Sequence, residues 1–292
     1  MCKSMKIAIY GNAYQGEFAD ALRQLFTALG EHDGIELEFE RSYFEYLSEV
    51  LHEFAPGKTF READPAAADL VISIGGDGTF LHAASAVGAA ETPIMGLNAG
   101  HLGYLSAAPV TAVGKVVADI TQGEYLVGPR TMLQVSCPEI EGHPCALNEV
   151  AVMRQATDSM IAVDAFIGSE PLATYLGDGL IIATPTGSTA YNLSVGGPIL
   201  APSAPSWVIT PVAPHSLTMR PLVVSNNTCI TLAGYSRSEH YSLAVDGHAY
   251  TLPAGTKVEI TRAPYVTNVV RLPGRTFIDS LREKLLWGAA GK

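Results

Sequence analysis

Several features are scarce in this sequence, and each scarcity excludes a class of protein. Charged residues make up only 16% of the 292 residues, and the formal net charge is -11, which argues against binding to nucleic-acid phosphates or anionic membranes. The four cysteines contain no C-x-x-C pair, so neither a zinc ribbon nor a redox motif is indicated. No apolar run approaches the roughly 20 residues of a membrane helix. The first such run, 7–10, is too short for a signal-peptide core. We therefore expect a cytoplasmic protein with reduced thiols.

The first third of the chain alternates strand-like and helix-like patterns. Short apolar runs occupy Lys6–Tyr10, Leu70–Ile74 and Pro93–Leu97, and segments with helical spacing separate them. An alanine-rich helix is predicted from about Thr79 to Ala90, and a further one from Pro109 to Gln122. This rhythm predicts a Rossmann-like parallel sheet covered by helices.

Beyond Gly128 the pattern changes to short runs rich in β-branched residues, separated by turn residues. It predicts an all-β second domain. The tail Phe277–Trp287 is amphipathic and predicts a terminal helix that returns to the first domain. We accordingly divide the chain into an α/β domain, 1–108 with 275–292 returning to it, and a mainly β domain, 109–274.

The most informative motif is Gly75-Gly76-Asp77-Gly78-Thr79, placed between an apolar strand and a helix. Glycines let a ligand approach main-chain N–H groups, and the helix that follows offers its positive end, so the loop suits a phosphate chain. A carboxylate in such a loop repels phosphate unless a positive charge or a proton offsets it. Asp77 is therefore a candidate general base or magnesium ligand. The alternative is an Asp-Gly turn in which the Asp77 side chain caps the helix.

Two further signals lie downstream. The loop Asn98–Tyr104 follows another predicted strand, at the presumed carboxyl edge of the same sheet, where ligands bind in open α/β folds. A hydroxyl-rich run, Thr184–Ser194, follows Gly177-Asp178-Gly179 and supplies many hydrogen-bond donors, and its Tyr191 offers a flat face for a base. Thr/Ser clusters also serve as ordinary loop and cap chemistry, which is the alternative here.

Together these stretches resemble the NAD kinase family. The motifs that carry the resemblance are GGDGTFLHAA, LNAGHLGYL, LNEVAV, DGLIIATPTGSTAYNLSVGGPI and ITPVAPHSLTMRPLVV, which span Leu70 to Val224. GGDG alone is shared with diacylglycerol kinases, so the resemblance implies a diacylglycerol-kinase-like first domain that binds ATP and NAD. The second domain would bind NAD. The implied reaction is transfer of the terminal phosphoryl group of ATP to the adenosine-ribose 2′-hydroxyl of NAD.

The resemblance also implies residue roles. Asp77 would be the general base. Asp178, Ser194 and Ala213 would hold the nicotinamide end, and Thr189 with Ala190 would read the adenine edge. The remaining substrate- and nucleotide-binding residues that it implies are Gly75, Gly76, Gly78, Thr79, His82, Asn98, Asn148, Glu149, Tyr191, Asn192, Leu193 and His248.

Two positions depart from the family pattern. His82 stands where many members carry Arg, so its phosphate contact is expected to weaken above neutral pH. His248 follows Asp246-Gly247 where many members place Gln. Of the lone residues, Trp207 and Trp287 are expected in the core, and Lys284 on a solvated helix face.

The expected partners are NAD and ATP, with Mg²⁺ or another divalent metal accompanying ATP and no protein metal site. The resemblance further implies a homo-oligomer, either a dimer or a tetramer. Two alternatives remain: a lipid kinase of the diacylglycerol type, and a non-catalytic NAD-binding sensor. The negative net charge disfavours the lipid kinase, which would work at an anionic membrane, and the intact Asp77 disfavours the non-catalytic sensor.

Overall fold

The computed structural model describes residues 4–13, 15–51, 62–100, 103–274 and 276–287. The chain divides into two compact units. Unit 1 comprises Met1–Pro129 together with Thr267–Lys292, and unit 2 comprises Arg130–Val266. The first boundary lies about one helix later than the sequence division at 108.

Unit 1 alternates strands and helices, as the sequence predicts. Its elements are β1 (Met5–Gly11), α1 (Ala19–Gly30), β2 (Ile35–Phe39), α2 (Arg41–Val50), β3 (Leu70–Ile74), α3 (Asp77–Val87), β4 (Ile94–Asn98), β5 (Ser106–Pro109) and α4 (Val113–Gln122). The strands pair in the order β2-β1-β3-β4-β5, and every one of these pairs is parallel. The carboxyl ends of β1, β3 and β4 therefore lie at one edge.

The core of unit 1 explains these elements. All five residues of β3 and all five of β4 are buried, which is typical of parallel strands covered on both faces. The apolar stripe of α1, including Leu22 and Leu25, is buried against the sheet, and Val116 and Ile120 of α4 join the same cluster. This shared core is why α4 groups with unit 1 rather than with the β-rich unit.

Unit 2 is built mainly from antiparallel strands, which confirms the predicted β-rich region. Its strands are β6 (Leu126–Ser136), β7 (Cys145–Ala146), β8 (Glu149–Met153), β9 (Ile161–Ile167), β10 (Glu170–Gly177), β11 (Gly179–Ala183), β12 (Ser206–Val212), β13 (Leu222–Ser225), β14 (Ile230–Tyr235), β15 (His240–Val245), β16 (His248–Pro253) and β17 (Lys257–Arg271). One sheet has the order β13-β12-β11-β8-β15-β16. In the other, β10-β9-β14-β17 are neighbours in that order, β6 pairs with β17, and β7 pairs with β6. Their facing side chains make one core, in which Trp207 is fully buried as expected. A short helix, α5 (Tyr191–Ser194), follows β11.

The last strand runs from unit 2 into unit 1. β17 pairs antiparallel with β14, and its Val269 pairs parallel with Ile94 of β4. Helix α6 (Phe277–Leu285) follows, within the segment that groups with unit 1. A capping box between Thr276 and Asp279 fixes its start, and Leu281 is buried.

The residues that follow α6 are more exposed than the sequence predicts. Trp287 is 55% exposed, so the expectation that it lies in the core is wrong; it follows the end of α6, beyond the packed turns of that helix. The predicted loop residues His101 and Leu102 lie outside the described residues.

Within the described ranges, no helix is both long and apolar enough to cross a membrane.

Candidate active site

The glycine loop of unit 1 joins β3 to α3 at the carboxyl edge of the sheet. The Gly75 N–H donates to the Leu97 carbonyl of β4 at 2.9 Å, which fixes the start of the loop. Gly75 has a φ of +150°, and a side chain there would collide with Thr79, so only glycine fits this position. Gly76 and Gly78 are exposed and have open space around them. The loop thus leaves room for a ligand above the N-terminal end of α3, which favours anions.

Asp77 links the two glycine loops. Its Oδ2 accepts the Tyr104 N–H at 3.1 Å, and its Oδ1 accepts the Leu105 N–H at 3.2 Å. The expectation that both loops meet at one edge is confirmed. The alternative in which Asp77 caps α3 is wrong: Gly76 occupies the N-cap position, and no side chain caps that helix end. The carboxylate is held by main-chain donors from the neighbouring loop.

Lys284 of α6 also reaches this carboxylate. Its Nζ lies 3.9 Å from Asp77 Oδ2 and 4.2 Å from the centroid of the Tyr104 ring. The Lys284 side chain is 23% exposed, so the expectation that it lies on a solvated helix face is wrong. Of the apolar side predicted for the tail, Leu281 is buried, but Leu286 is 70% exposed. Lys284 lies one turn after Leu281 on the same side of α6, and sequence periodicity contained no signal that it meets a carboxylate.

The other unit 1 candidates lie on α3 and at the end of β4. His82 is exposed, and its ring meets the edge of Tyr10 at 5.7 Å between centroids. Burial opposes ionisation of Glu40, but hydrogen bonds from Ser42 and Tyr43 and the charge of His82 together lower the pKa of Glu40. His82 is therefore free to meet a ligand while lying close to an acidic group.

Asn98 is buried at the end of β4. Its Nδ2 donates to the Gly100 carbonyl at 3.0 Å, and its Oδ1 has no hydrogen-bond partner among the described residues. A buried acceptor without a donor is uncommon in folded proteins. Asn98 thus keeps an acceptor available beside the second glycine loop.

In unit 2, Asn148 and Glu149 are positioned by Asp246, which lies in the turn after β15. The Asp246 carboxylate accepts the N–H groups of Leu147 at 2.6 Å, Asn148 at 2.8 Å and Glu149 at 3.1 Å. Asp246 has a φ of 46°, a left-handed conformation that Asp tolerates better than most residues. Sequence reasoning noted Asp246 only as part of the segment before His248 and missed this contact.

Glu149 is an unusual carboxyl group. Burial, followed by the neighbouring charge of Asp246, raises its pKa to about 7, and a backbone hydrogen bond from Tyr191 partly opposes this. Its Oε2 is buried and has no hydrogen-bond partner in the described part of the chain. Burial also raises the pKa of Asp246, but its three N–H donors oppose that effect. Glu149 is then the acceptor that still lacks donors.

The hydroxyl-rich run after β11 is braced internally. Thr184 Oγ1 donates to the Leu147 carbonyl and accepts the Gly187 N–H, and Gly187 packs directly against the Asn148 carbonyl. Asn192 is fully buried, and its amide bonds to the Ser188 and Pro198 carbonyls and to Thr210 Oγ1. These polar contacts of the Asn192 amide are all internal, and the predicted ligand contact of Asn192 stays a prediction. Thr184 and Ser188 therefore fit the alternative of ordinary loop chemistry, because their hydroxyls bond to nearby main-chain groups, although neither occupies the N-cap position of a helix.

The neighbours of Asn192 are more open. Tyr191 is 39% exposed, and Ser194 is also exposed. Thr189, Ala190 and Leu193 are half-buried. The backbone hydrogen bond from Tyr191 to Glu149 brings this run next to the Asn148-Glu149 pair. Five predicted residues of this run are thus exposed or half-buried, and one of them, Tyr191, contacts the Glu149 carboxylate through its main chain.

Comparison with known proteins decides the family. Residues 13–125 match the model of the ATP-NAD kinase N-terminal domain, and residues 147–272 match that of the ATP-NAD kinase C-terminal domain. The chain is 42% identical over 287 residues to an NAD kinase of Bacteroides fragilis, covering 98% of this chain and 99% of that one. It is 40% identical over 286 residues to an NAD kinase of Porphyromonas gingivalis, with the same coverage.

The chain belongs to the NAD kinase family. Among solved structures of that family, the yeast NADH kinase complexed with NADH is similar, with a TM-score of 0.85 and 25% identity, covering 99% of this chain and 90% of that one. The NAD kinase from Archaeoglobus fulgidus, in complex with ATP, has a TM-score of 0.71 at 23% identity, covering 97% and 99%. The second likeness concerns the fold alone.

Three remaining candidates lie at strand ends of unit 2. Asp178 accepts the Arg154 Nε–H at 2.7 Å; sequence reasoning missed Arg154, which has no motif of its own. Ala213 is exposed and has a φ of 43° directly after β12. His248 is exposed at the start of β16 and packs edge-on against Tyr250, with ring centroids 4.9 Å apart. No described contact links His248 to Asp178 or Ala213.

Proposed function

We propose that this protein is an NAD kinase that transfers the γ-phosphoryl group of ATP to the adenosine-ribose 2′-hydroxyl of NAD and so forms NADP. The family membership supports this activity, and the resemblance drawn from the GGDG and TPTGSTAYNLS motifs agrees with it. Both domain models match, so the relationship is not confined to the GGDG loop that other kinases share.

One observation carries the proposed chemistry: the carboxylate of Asp77 is held at the edge of the glycine loop by two main-chain N–H donors. These bonds orient the carboxylate without consuming every lone pair of its oxygens. A carboxylate fixed beside a phosphate-binding loop is suited to accept a proton from an attacking hydroxyl. Phosphoryl transfer needs positioning and charge stabilisation more than covalent chemistry, and rigid loops supply the first.

In the proposed mechanism, the triphosphate of ATP lies over Gly75–Thr79 and meets the positive end of α3. The 2′-hydroxyl oxygen attacks the γ-phosphorus, the bond from that phosphorus to the bridging oxygen of ADP breaks, and Asp77 takes the hydroxyl proton. His82 contacts phosphate oxygens from the next turn of α3.

We propose no metal site of the protein's own. The Asp77 carboxylate faces the Lys284 ammonium, whose positive charge repels a metal cation from this oxygen. The described residues contain no cluster of three or more His, Cys, Asp or Glu side chains that could hold a metal ion. We therefore propose that Mg²⁺ arrives as the ATP complex, as part of the substrate.

The residues of unit 2 suit recognition of NAD. We propose that Asn148 and Glu149 hold the adenosine ribose, because Glu149 keeps a buried acceptor without a donor and ribose hydroxyls are donors. Thr189 and Ala190 read the adenine edge, and Tyr191 packs against the dinucleotide. Asp178, Ser194 and Ala213 hold the nicotinamide end, with Arg154 orienting Asp178.

A direct assay tests the activity. Purified protein is incubated with MgATP and either NAD, NADH or diacylglycerol, and NADP(H) is measured by a coupled dehydrogenase. We expect NADP from ATP and NAD. Phosphorylation of diacylglycerol alone would support the lipid-kinase alternative, and tight NAD binding without any NADP would support the sensor. Polyphosphate in place of ATP establishes the donor range.

Three further properties belong to the proposal. The first unit is diacylglycerol-kinase-like, with α6 returning to it, as its GGDG loop and its parallel strand order suggest. The protein forms a dimer or a tetramer, since closed symmetric oligomers are common. It acts in the cytoplasm, in keeping with the free state of Cys137, Cys145 and Cys229.

A further inference from the structure

Lys284 lies beside the glycine loop, close to the negatively charged side chain of Asp77. Asp77 places a negative charge in a loop proposed to receive a triphosphate, and like charges repel. The Lys284 ammonium lies 3.9 Å from Asp77 Oδ2, the same oxygen that accepts the Tyr104 N–H. The carboxylate is thus partly neutralised by a residue more than 200 positions away in the sequence.

The position of Lys284 is built into the fold. The capping box of Thr276 and Asp279 fixes the start of α6, and Leu281, one turn before Lys284, is 4% exposed. The Lys284 ammonium also lies over the face of the Tyr104 ring, at 4.2 Å, a contact that favours a cation at this place. Tyr104 therefore holds both partners: its N–H binds Asp77, and its ring binds Lys284.

The partial exposure of the pair suits a contact that acts on a ligand. The side chains are 23% exposed for Lys284 and 34% exposed for Asp77. A pair that is partly shielded from water is screened less than an open surface pair. It also remains accessible enough for an anionic ligand to approach it.

We propose that Lys284 is a positioning residue of the kinase, the counter-ion that allows Asp77 to share the glycine loop with the triphosphate of ATP. Without it, the Asp77 charge repels ATP. With it, the loop is close to neutral before ATP arrives, and Asp77 stays oriented by Tyr104 and Leu105. This inference rests on the proposed function, because it assigns Lys284 to the same site.

The test compares ATP affinity in Lys284→Met, Lys284→Arg and the control Arg282→Met. Methionine keeps an unbranched apolar stem over Tyr104 but removes the charge. Arg282 is exposed on the same helix and also carries one positive charge. Calorimetric titration with MgATP should give a Kd raised about 5- to 20-fold for Lys284→Met. The Kd should stay within about threefold of wild type for Lys284→Arg and for Arg282→Met.

A double variant separates a counter-ion from a structural residue. In Asp77→Asn the charge that Lys284 offsets is gone, so adding Lys284→Met should return the ATP Kd to within about threefold of wild type. The Kd for NAD and the melting temperature should not change. An additive loss in the double variant, or equal losses of NAD and ATP affinity with a lower melting temperature, would overturn the inference. Because these are binding measurements, they stand apart from the NADP assay, whose failure would overturn the proposed function instead.

Discussion

Gly103 lies directly against the carboxylate of Asp77, so that a side chain at Gly103 would overlap Asp77 Oδ1. The backbone of Gly103 does not have a positive φ, so its requirement for glycine comes from this close approach. We predict that Gly103→Ala displaces the Asp77 carboxylate and lowers kcat by about 10- to 100-fold, because small displacements of a catalytic group are costly. Steady-state NADP formation measures the effect.

Gly114→Ala is the matched control for that variant. Gly114 is exposed in α4, and a β-carbon at this position would have no atom within 4 Å beyond its chain neighbours and the backbone of its own helix. Alanine there should raise stability by up to about 1 kcal/mol without changing kcat. If Gly103→Ala kept normal kcat, the close approach of Gly103 to Asp77 would not be needed for catalysis.

The Asp246 carboxylate provides a second prediction. Asn fits the left-handed backbone of Asp246, so Asp246→Asn removes the charge, and one of the two acceptor oxygens, that the N–H groups of Leu147, Asn148 and Glu149 bind, with little backbone strain. Hydrogen bonds to charged groups are worth about 1.5–3 kcal/mol. We expect the KM for NAD to rise about tenfold or more, while the Kd for ATP stays unchanged.

Asp164→Asn serves as its control, since Asp164 accepts an exposed hydrogen bond from Thr174 Oγ1 within the same unit. It should leave the KM for NAD as in wild type. Equal effects of the two variants would show that the Asp246 contacts do not position the Asn148-Glu149 pair.

Proton release tests the role of Glu149. Burial and the charge of Asp246 raise the pKa of Glu149 to about 7 in the ligand-free protein, so the group is largely protonated at pH 6.5. Donation from ribose hydroxyls favours the ionised form and lowers that pKa. NAD binding should therefore release about 0.5–0.8 proton at pH 6.5 and almost none at pH 8.5.

Calorimetry in two buffers of different ionisation enthalpy counts these protons. Glu149→Gln cannot ionise and should abolish the release at pH 6.5. A release that persists in Glu149→Gln, or its absence in wild type, would mean that Glu149 does not accept from the bound ribose.

The sequence predicted much of the fold because local patterns determine it. The apolar run Leu70–Ile74 is a strand with the predicted bounds, and the stripe of α1 is buried as its spacing indicates. The β-rich second unit followed from β-branched runs between turns. The boundary between the units could not be predicted from local patterns, since only packing in the shared core assigns α4 to unit 1.

The site was predicted where motifs are contiguous and was missed where contacts are distant. Asp77 and Glu149 stand within short motifs, whereas Lys284, Arg154 and Asp246 act through tertiary contacts with Asp77, Asp178 and the Asn148 loop. Periodicity cannot reveal which exposed cation meets a carboxylate across the fold. Asn192 shows the reverse case: its motif is distinctive, but its amide is used inside the loop.

Asp77→Asn is the decisive variant for the proposal that Asp77 takes the proton from the 2′-hydroxyl of NAD. Asparagine keeps the shape of the side chain but cannot act as the base. Steady-state kinetics with saturating MgATP and NAD should show kcat lowered by about 10²- to 10⁴-fold, with the Kd for NAD nearly unchanged. A kcat close to that of the wild-type protein would mean that Asp77 is not the base.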